Sequence, residues 1–154
     1  MKFAQWLIGL CCTAWLTCAM GDNLACGERH IVLVSGSQSS VQQLSSTEAR
    51  KLFMGFPVSQ RGQYIVPVLN LSETLLYEVF LQKVVFMSAS SYERRVMSRT
   101  FRQGDARPLE MTTQRTLSET LHTNPVAVSF MWKEDANGKP DLKVVQEPCR
   151  NLEQ

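Results

Sequence analysis

The chain is short of the groups on which most enzyme chemistry rests. Its 154 residues contain two histidines, His30 and His122, and neither lies at a spacing from a serine, cysteine or carboxylate that would orient it as a base. No histidine and carboxylate cluster has metal-ligand spacing, and no glycine-rich phosphate loop follows a strand. The expected protein is therefore not an enzyme, and it needs no metal or cofactor. Charge is also sparse: 16 Lys and Arg against 14 Asp and Glu leave a net charge of +2. That field is too weak to make nucleic acid or an anionic membrane the main partner. Eight glycines and six prolines, with no low-complexity tract, exclude a disordered chain. Repeats and interdomain linkers are absent too, so one domain is expected.

Cysteine is scarce and odd in number, at five. The amino terminus accounts for the odd count. Lys2 is followed by an apolar run from Phe3 to Leu16 and then by Ala19-Met20-Gly21, the small-residue pattern of a secretory signal peptide. Cleavage after Gly21 leaves residues 22–154 as the domain. The alternative is an uncleaved anchor, because Phe3 to Met20 approaches membrane-spanning length. Cys11, Cys12 and Cys18 depart with the signal, and Cys26 and Cys149 remain near the two ends. In an exported chain such a pair favours a disulfide, two unrelated thiols being the alternative. Closing so long a loop stabilises a fold by roughly 4 to 5 kcal/mol on the chain-entropy model. The expected compartment is the periplasm.

What is present reads as alternating strands and helices. Ile31-Val32-Leu33-Val34 is a buried strand, and Ser45 with Glu48 is a capping box opening a helix over about 46–54 that stops at Gly55. Tyr64 to Leu69 is a second strand, which must place Pro67 where no ladder donor is needed. A long helix follows from Asn70 or Ser72, with Leu75, Leu76, Val79 and Phe80 as its apolar stripe. Ser88 or Ser90 opens a third helix ending near Gly104, and Thr112 or Thr113 caps a fourth that ends at Asn124-Pro125. Val126 to Trp132 is a third strand. Asp135-Ala136-Asn137-Gly138 is a turn signal, with Leu142 to Val145 returning beside that strand. The order implies an α/β fold, a three-layer mixed sheet with helices on both faces.

Three polar segments are candidates for binding. Asn70-Leu71-Ser72-Glu73-Thr74 lies at a strand-to-helix junction, where open α/β sheets bind ligands, and Asn70, Ser72 and Thr74 are its hydrogen-bonding side chains. The plainer reading is that Asn70 or Ser72 caps the helix, with Glu73 already using the positive field there. Arg102 and Arg107 flank a glycine-containing loop and can fork onto a carboxylate or phosphate. The plainer alternative has Arg102 neutralising a helix end and Arg107 pairing with Asp105 or Glu110. The loop Ser35 to Ser40 reads as a flexible connection.

Together, Ile31-Val32-Leu33-Val34, Leu44-Ser45-Ser46-Thr47-Glu48 with Lys51-Leu52-Phe53-Met54-Gly55, Ile65-Val66-Pro67-Val68, Phe101 with Gly104, and Asn124-Pro125-Val126-Ala127-Val128 resemble the substrate-binding proteins of phosphate ABC transporters. The resemblance covers about residues 29–132. It implies one lobe of a type 2 periplasmic binding fold, a solute-binding role, phosphate or another small anion as ligand, and a membrane transporter or sensor as partner. The membrane itself is met only through the signal peptide. Two departures stand out. The family's Arg and Ser-Gly-Thr helix start is replaced by Asn70-Leu71-Ser72-Glu73-Thr74, which has no arginine, no glycine and an added carboxylate. The expected Gly-Ala-Ile-Gly after Asn-Pro is replaced by Val126-Ala127-Val128-Ser129. The resemblance thus implies weak ligand binding or a recognition module, with an anion site completed by dimerisation as the alternative.

Overall fold

A computed structural model describes residues 29–104 and 107–148. The signal segment, Cys26 and Cys149 lie outside the described residues. No helix among the described residues is long and apolar enough to cross a membrane.

The apolar run near the amino end forms β1 (Ile31–Gly36), buried along its whole length because it occupies an interior position of the sheet. Helix α1 (Ser46–Phe53) starts at the expected capping box: the Ser45 hydroxyl accepts from the Glu48 N–H at 3.2 Å, and the Glu48 carboxylate accepts from the Ser45 N–H at 2.9 Å. Those hydrogen bonds hold the Glu48 carboxyl below the usual carboxylate range. The helix ends as expected at Gly55, whose φ of 80° only glycine adopts without strain. There the Phe56 N–H reaches back to the Lys51 carbonyl, a Schellman closure.

A small hairpin, β2 (Ser59–Gln60) and β3 (Gln63–Tyr64), turns at Arg61-Gly62 and precedes β4 (Val66–Asn70). Pro67 meets the requirement placed on it. Val66 donates to the Val126 carbonyl at 2.9 Å, so the Pro67 nitrogen faces the opposite side, where pairing begins only at Val68. The helix after β4 is shorter than expected. α2 (Thr74–Phe80) runs into a π-helical turn (Leu81–Val85) that ends at Phe86 with φ 59°. Leu76, Phe80, Leu81, Val84 and Val85 are buried, the extra residue of the wider turn bringing Leu81 and Val85 inward with Val84, and Leu75 is about half exposed.

Ser88 caps α3 (Ala89–Gln103), which stops at left-handed Gly104. A short strand not expected from the sequence, β5 (Leu109–Met111), leads to α4 (Gln114–Thr123), capped by Thr113. Then come β6 (Ala127–Trp132), the single-turn helix α5 (Lys133–Asn137) and β7 (Leu142–Gln146).

The main sheet has the order β5-β4-β6-β1-β7. β4 runs parallel to both β5 and β6, whereas β1 is antiparallel to β6 and β7. The last strand was expected beside β6. Instead Asp135 to Gly138 belongs to α5 and its end, and the chain crosses over β1 to pair with its far side.

Period-two alternation divides the core into two layers. Ile31, Leu33, Leu69, Val128 and Phe130 face α1, α2, the π-turn and α3 on one side. Val32, Val34, Val68, Ala127 and Met131 face α4 and α5 on the other. This is the expected three-layer mixed sheet with helices on both faces. Each fully buried side chain of this size contributes about 1.5–3 kcal/mol. Phe80 sits at the centre of the larger layer, stacked on Phe130 with centroids 3.8 Å apart and met edge-on by Phe53 at 4.8 Å. The buried Tyr92 hydroxyl donates to the Phe53 carbonyl at 2.8 Å, and burial raises its pKa well above the ordinary tyrosine value.

The Ser35 to Ser40 segment is not a flexible connection. Ser35 and Gly36 belong to β1, the Ser35 hydroxyl donates to the Ala127 carbonyl at 2.6 Å, and that of Ser39 donates to the Pro125 carbonyl at 2.6 Å.

Candidate functional site

Because β4, β5 and β6 are parallel, their carboxyl ends, at Asn70, Met111 and Trp132, reach the same edge of the sheet. The antiparallel β1 begins there, which brings Arg29 alongside Trp132. The segments leaving this edge enclose an open cleft of about 730 Å³, lined by Ser72, Glu73, Gln114, Glu134, Asp135 and Lys139.

Asn70 is fully buried beneath the cleft and has both ends of its amide committed. Its Nδ2 donates to the Phe130 carbonyl at 3.0 Å, and its Oδ1 accepts from the Ser72 N–H at 3.2 Å and from the Ser72 hydroxyl at 2.7 Å. Gln114 Nε2 in turn donates to the Ser72 hydroxyl at 2.9 Å. Lys139 Nζ, from the loop before β7, lies within reach of Gln114 Oε1 at 3.5 Å and the Ser118 hydroxyl at 3.4 Å. These bonds tie β4, α4 and the α5–β7 loop together. They also occupy the donors an anion would need.

Glu73 stands at the N-cap position of α2, yet its carboxylate does not cap the helix. It turns to the cleft edge, where Oε2 accepts from the Trp132 indole N–H at 2.8 Å and Oε1 lies 3.4 Å from Arg29. The Arg29 guanidinium also sits 4.3 Å from the Trp132 ring centroid. The Arg29–Glu73 pair is open to solvent and contributes about 0–1 kcal/mol at most. The Trp132 bond matters more, because the indole is buried and an unpaired buried donor costs about 1–3 kcal/mol.

Of the residues marked by the sequence, Asn70 and Ser72 come together at the cleft, Asn70 from below and Ser72 in its wall. Thr74 is exposed in the first turn of α2. Neither arginine joins them. Arg102 is exposed in the last turn of α3. Arg107 pairs with Glu93 at 3.1 Å, not with Glu110, and precedes the amino end of β5, opposite the cleft. Sequence reading missed Arg29, Gln114, Trp132 and Lys139, which are far apart along the chain. The one local signal was Trp132 closing a strand: on an open sheet, the end of a parallel strand is where a site belongs. Among the described residues, no three His, Cys, Asp or Glu side chains group as a metal site.

No family model and no curated protein sequence matches the chain. Its fold does have counterparts among solved structures. An ABC-type phosphate transport receptor from Vibrio cholerae superposes with a TM-score of 0.57 at 14% identity, over 77% of this chain and 46% of the receptor. PstS from Borrelia burgdorferi gives 0.56 at 9% identity, over 77% and 47%. A possible phosphate binding protein from Planctomyces limnophilus gives 0.52 at 12% identity, over 77% and 41%. The matched region spans less than half the length of each, and at these identities the likeness is one of fold. The chain has the α/β fold of one lobe of a type 2 periplasmic binding protein.

Proposed function

We propose that this is an exported, periplasmic solute-binding-like domain, residues 22–154 after loss of a signal peptide, that binds a small polar ligand weakly or serves as a recognition module for a membrane transporter or sensor. It is not an enzyme on this reading. The observation that carries it is the polar cleft onto which the carboxyl ends of β4, β5 and β6 open. This is the place where open α/β sheets hold ligands.

The lining decides which ligand. Glu73, Glu134 and Asp135 line the cleft with one ammonium, that of Lys139, the Arg29 guanidinium meets Glu73 at its edge, and the hydrogen-bonding groups of Asn70 and Ser72 are turned on each other. A phosphate dianion would meet carboxylates where it needs charge-assisted donors. Dimerisation would not help, since a second copy of the cleft would add further carboxylates. A cationic or zwitterionic solute suits this lining.

Trp132 provides the test, because its indole rests on Glu73, and the other tryptophans, Trp6 and Trp15, lie in the proposed signal. In the processed chain, titration with small diamines and amino acids is expected to change Trp132 fluorescence saturably at high micromolar to millimolar concentration, on the order of −4 to −6 kcal/mol. Glu73→Gln, which keeps an acceptor for the indole, is expected to weaken that response by about tenfold. A flat response across amines, zwitterions and anions would contradict a solute-binding cleft.

A further inference from the structure

A second concavity shares no lining residue with the cleft. It lies where α1, the π-turn and α3 meet, has a volume of about 430 Å³, and is lined by Arg50, Lys51, Met54, Phe56, Phe86 and Arg95, with no carboxylate among its lining residues. We propose that this groove is a docking site for an acidic protein segment that inserts an apolar side chain between the cations.

Phe86 carries the argument. It ends the π-helical turn in the left-handed region, at φ 59°, a conformation that suits glycine and strains a phenylalanine. The residue is 62% exposed, so burial within this chain does not offset that strain. π-turns themselves are uncommon and concentrate at functional positions. The chain thus holds an aromatic ring in solvent by two unfavourable local devices, which is the pattern of a recognition residue.

The charge around the ring identifies the partner. Arg50 is fixed by its Nε donating to the Val85 carbonyl at 3.0 Å, and its guanidinium lies 5.5 Å from the Phe86 ring centroid. Phe56 is covered by the Arg99 guanidinium at 4.1 Å. Among the described residues no carboxylate forms a salt bridge with Arg50, Lys51 or Arg95. The nearby Glu48 is engaged by the Ser45 hydroxyl and N–H. Three like charges around apolar surface favour a partner that brings carboxylates at the rim and an apolar anchor at the centre. A groove suits an inserted side chain better than it suits the flat face of a bilayer.

The test uses the full processed chain and two labelled peptides of about a dozen residues. One has Asp and Glu around a central phenylalanine, and the other has serine in its place. By fluorescence anisotropy the first is expected to bind at least about tenfold more tightly than the second. Phe86→Gly is expected to remove that advantage, and Arg95→Glu to weaken both peptides by about tenfold. Phe86→Gly relieves the left-handed strain, so an undiminished thermal midpoint separates lost recognition from lost folding. Three results would overturn the proposal: absence of peptide binding, binding indifferent to Phe86, or Phe86-dependent sedimentation with phosphatidylglycerol vesicles in place of peptide binding. The solute titration of Trp132 uses other residues, so either reading can fail alone.

Discussion

Replacing Phe80 with alanine is expected to destabilise the protein by about 3–5 kcal/mol, a large part of the 5–15 kcal/mol that holds a typical domain folded. Phe80 has no exposed surface, and its ring packs flat on Phe130 while Phe53 meets it edge-on. Removing it opens a cavity between the sheet and α1, bordered by side chains from β6 and from the turn after α2. Closing that cavity would require α2 to shift toward the sheet, against the packing of Leu76 and Leu81 in the same layer. Phe80→Leu, which keeps most of the volume, should recover much of the loss. Urea unfolding followed by far-UV circular dichroism measures both. A loss below about 1 kcal/mol for alanine would show that this layer is not packed as described.

Gly36→Ala has the second large effect, and for a different reason. Gly36 ends β1 with an ordinary φ, so its role is not conformational freedom. A Cβ there would fall inside the van der Waals shell of the Leu121 carbonyl oxygen and within 3.3 Å of the Leu121 carbonyl carbon. Both are backbone atoms near the end of α4, where no side chain can swing aside. Relief requires α4 to move off the smaller core layer, which holds Val34, Leu117 and Leu121. The expected cost is about 1–3 kcal/mol. A denaturation midpoint unchanged from wild type would contradict the close approach of α4 to β1.

Local chemistry was legible in the sequence and long-range geometry was not. Ser45 with Glu48, Gly55, Ser88, Gly104 and Thr113 mark helix ends because a cap is complete within about four residues. The strands β1 and β4 declared themselves by β-branched runs, and β6 by an apolar run ending in Phe130-Met131-Trp132. β5 did not, because it is three residues long and its Leu109 is nearly half exposed. The position of β7 was misread because a turn signal specifies a reversal, not a partner. Here α5 carries the chain across β1, so the expected neighbour of β6 became the far-side neighbour of β1.

The candidate site shows the same division. Asn70 and Ser72 were visible because they sit together at one strand end. Their partners Phe130 and Gln114 come from β6 and α4, which the order of the sheet brings near and no short motif encodes. Glu73 is the instructive case. Its position at the start of a helix suggested that its charge was used by the helix, yet a buried indole N–H claims it. Arg102 and Arg107 looked like an anion fork, but Arg107 is held by Glu93 of α3 on the opposite end of the sheet from the cleft.

On the proposed reading, fold and ligand separate in this chain. The solved counterparts named for phosphate share its architecture over less than half their length, while the cleft at the carboxyl edge of this sheet is lined by three carboxylates. Isothermal titration of the processed protein with inorganic phosphate at low ionic strength tests that separation most directly. No binding tighter than micromolar, about −8 kcal/mol, is expected, while nanomolar phosphate affinity would contradict that separation.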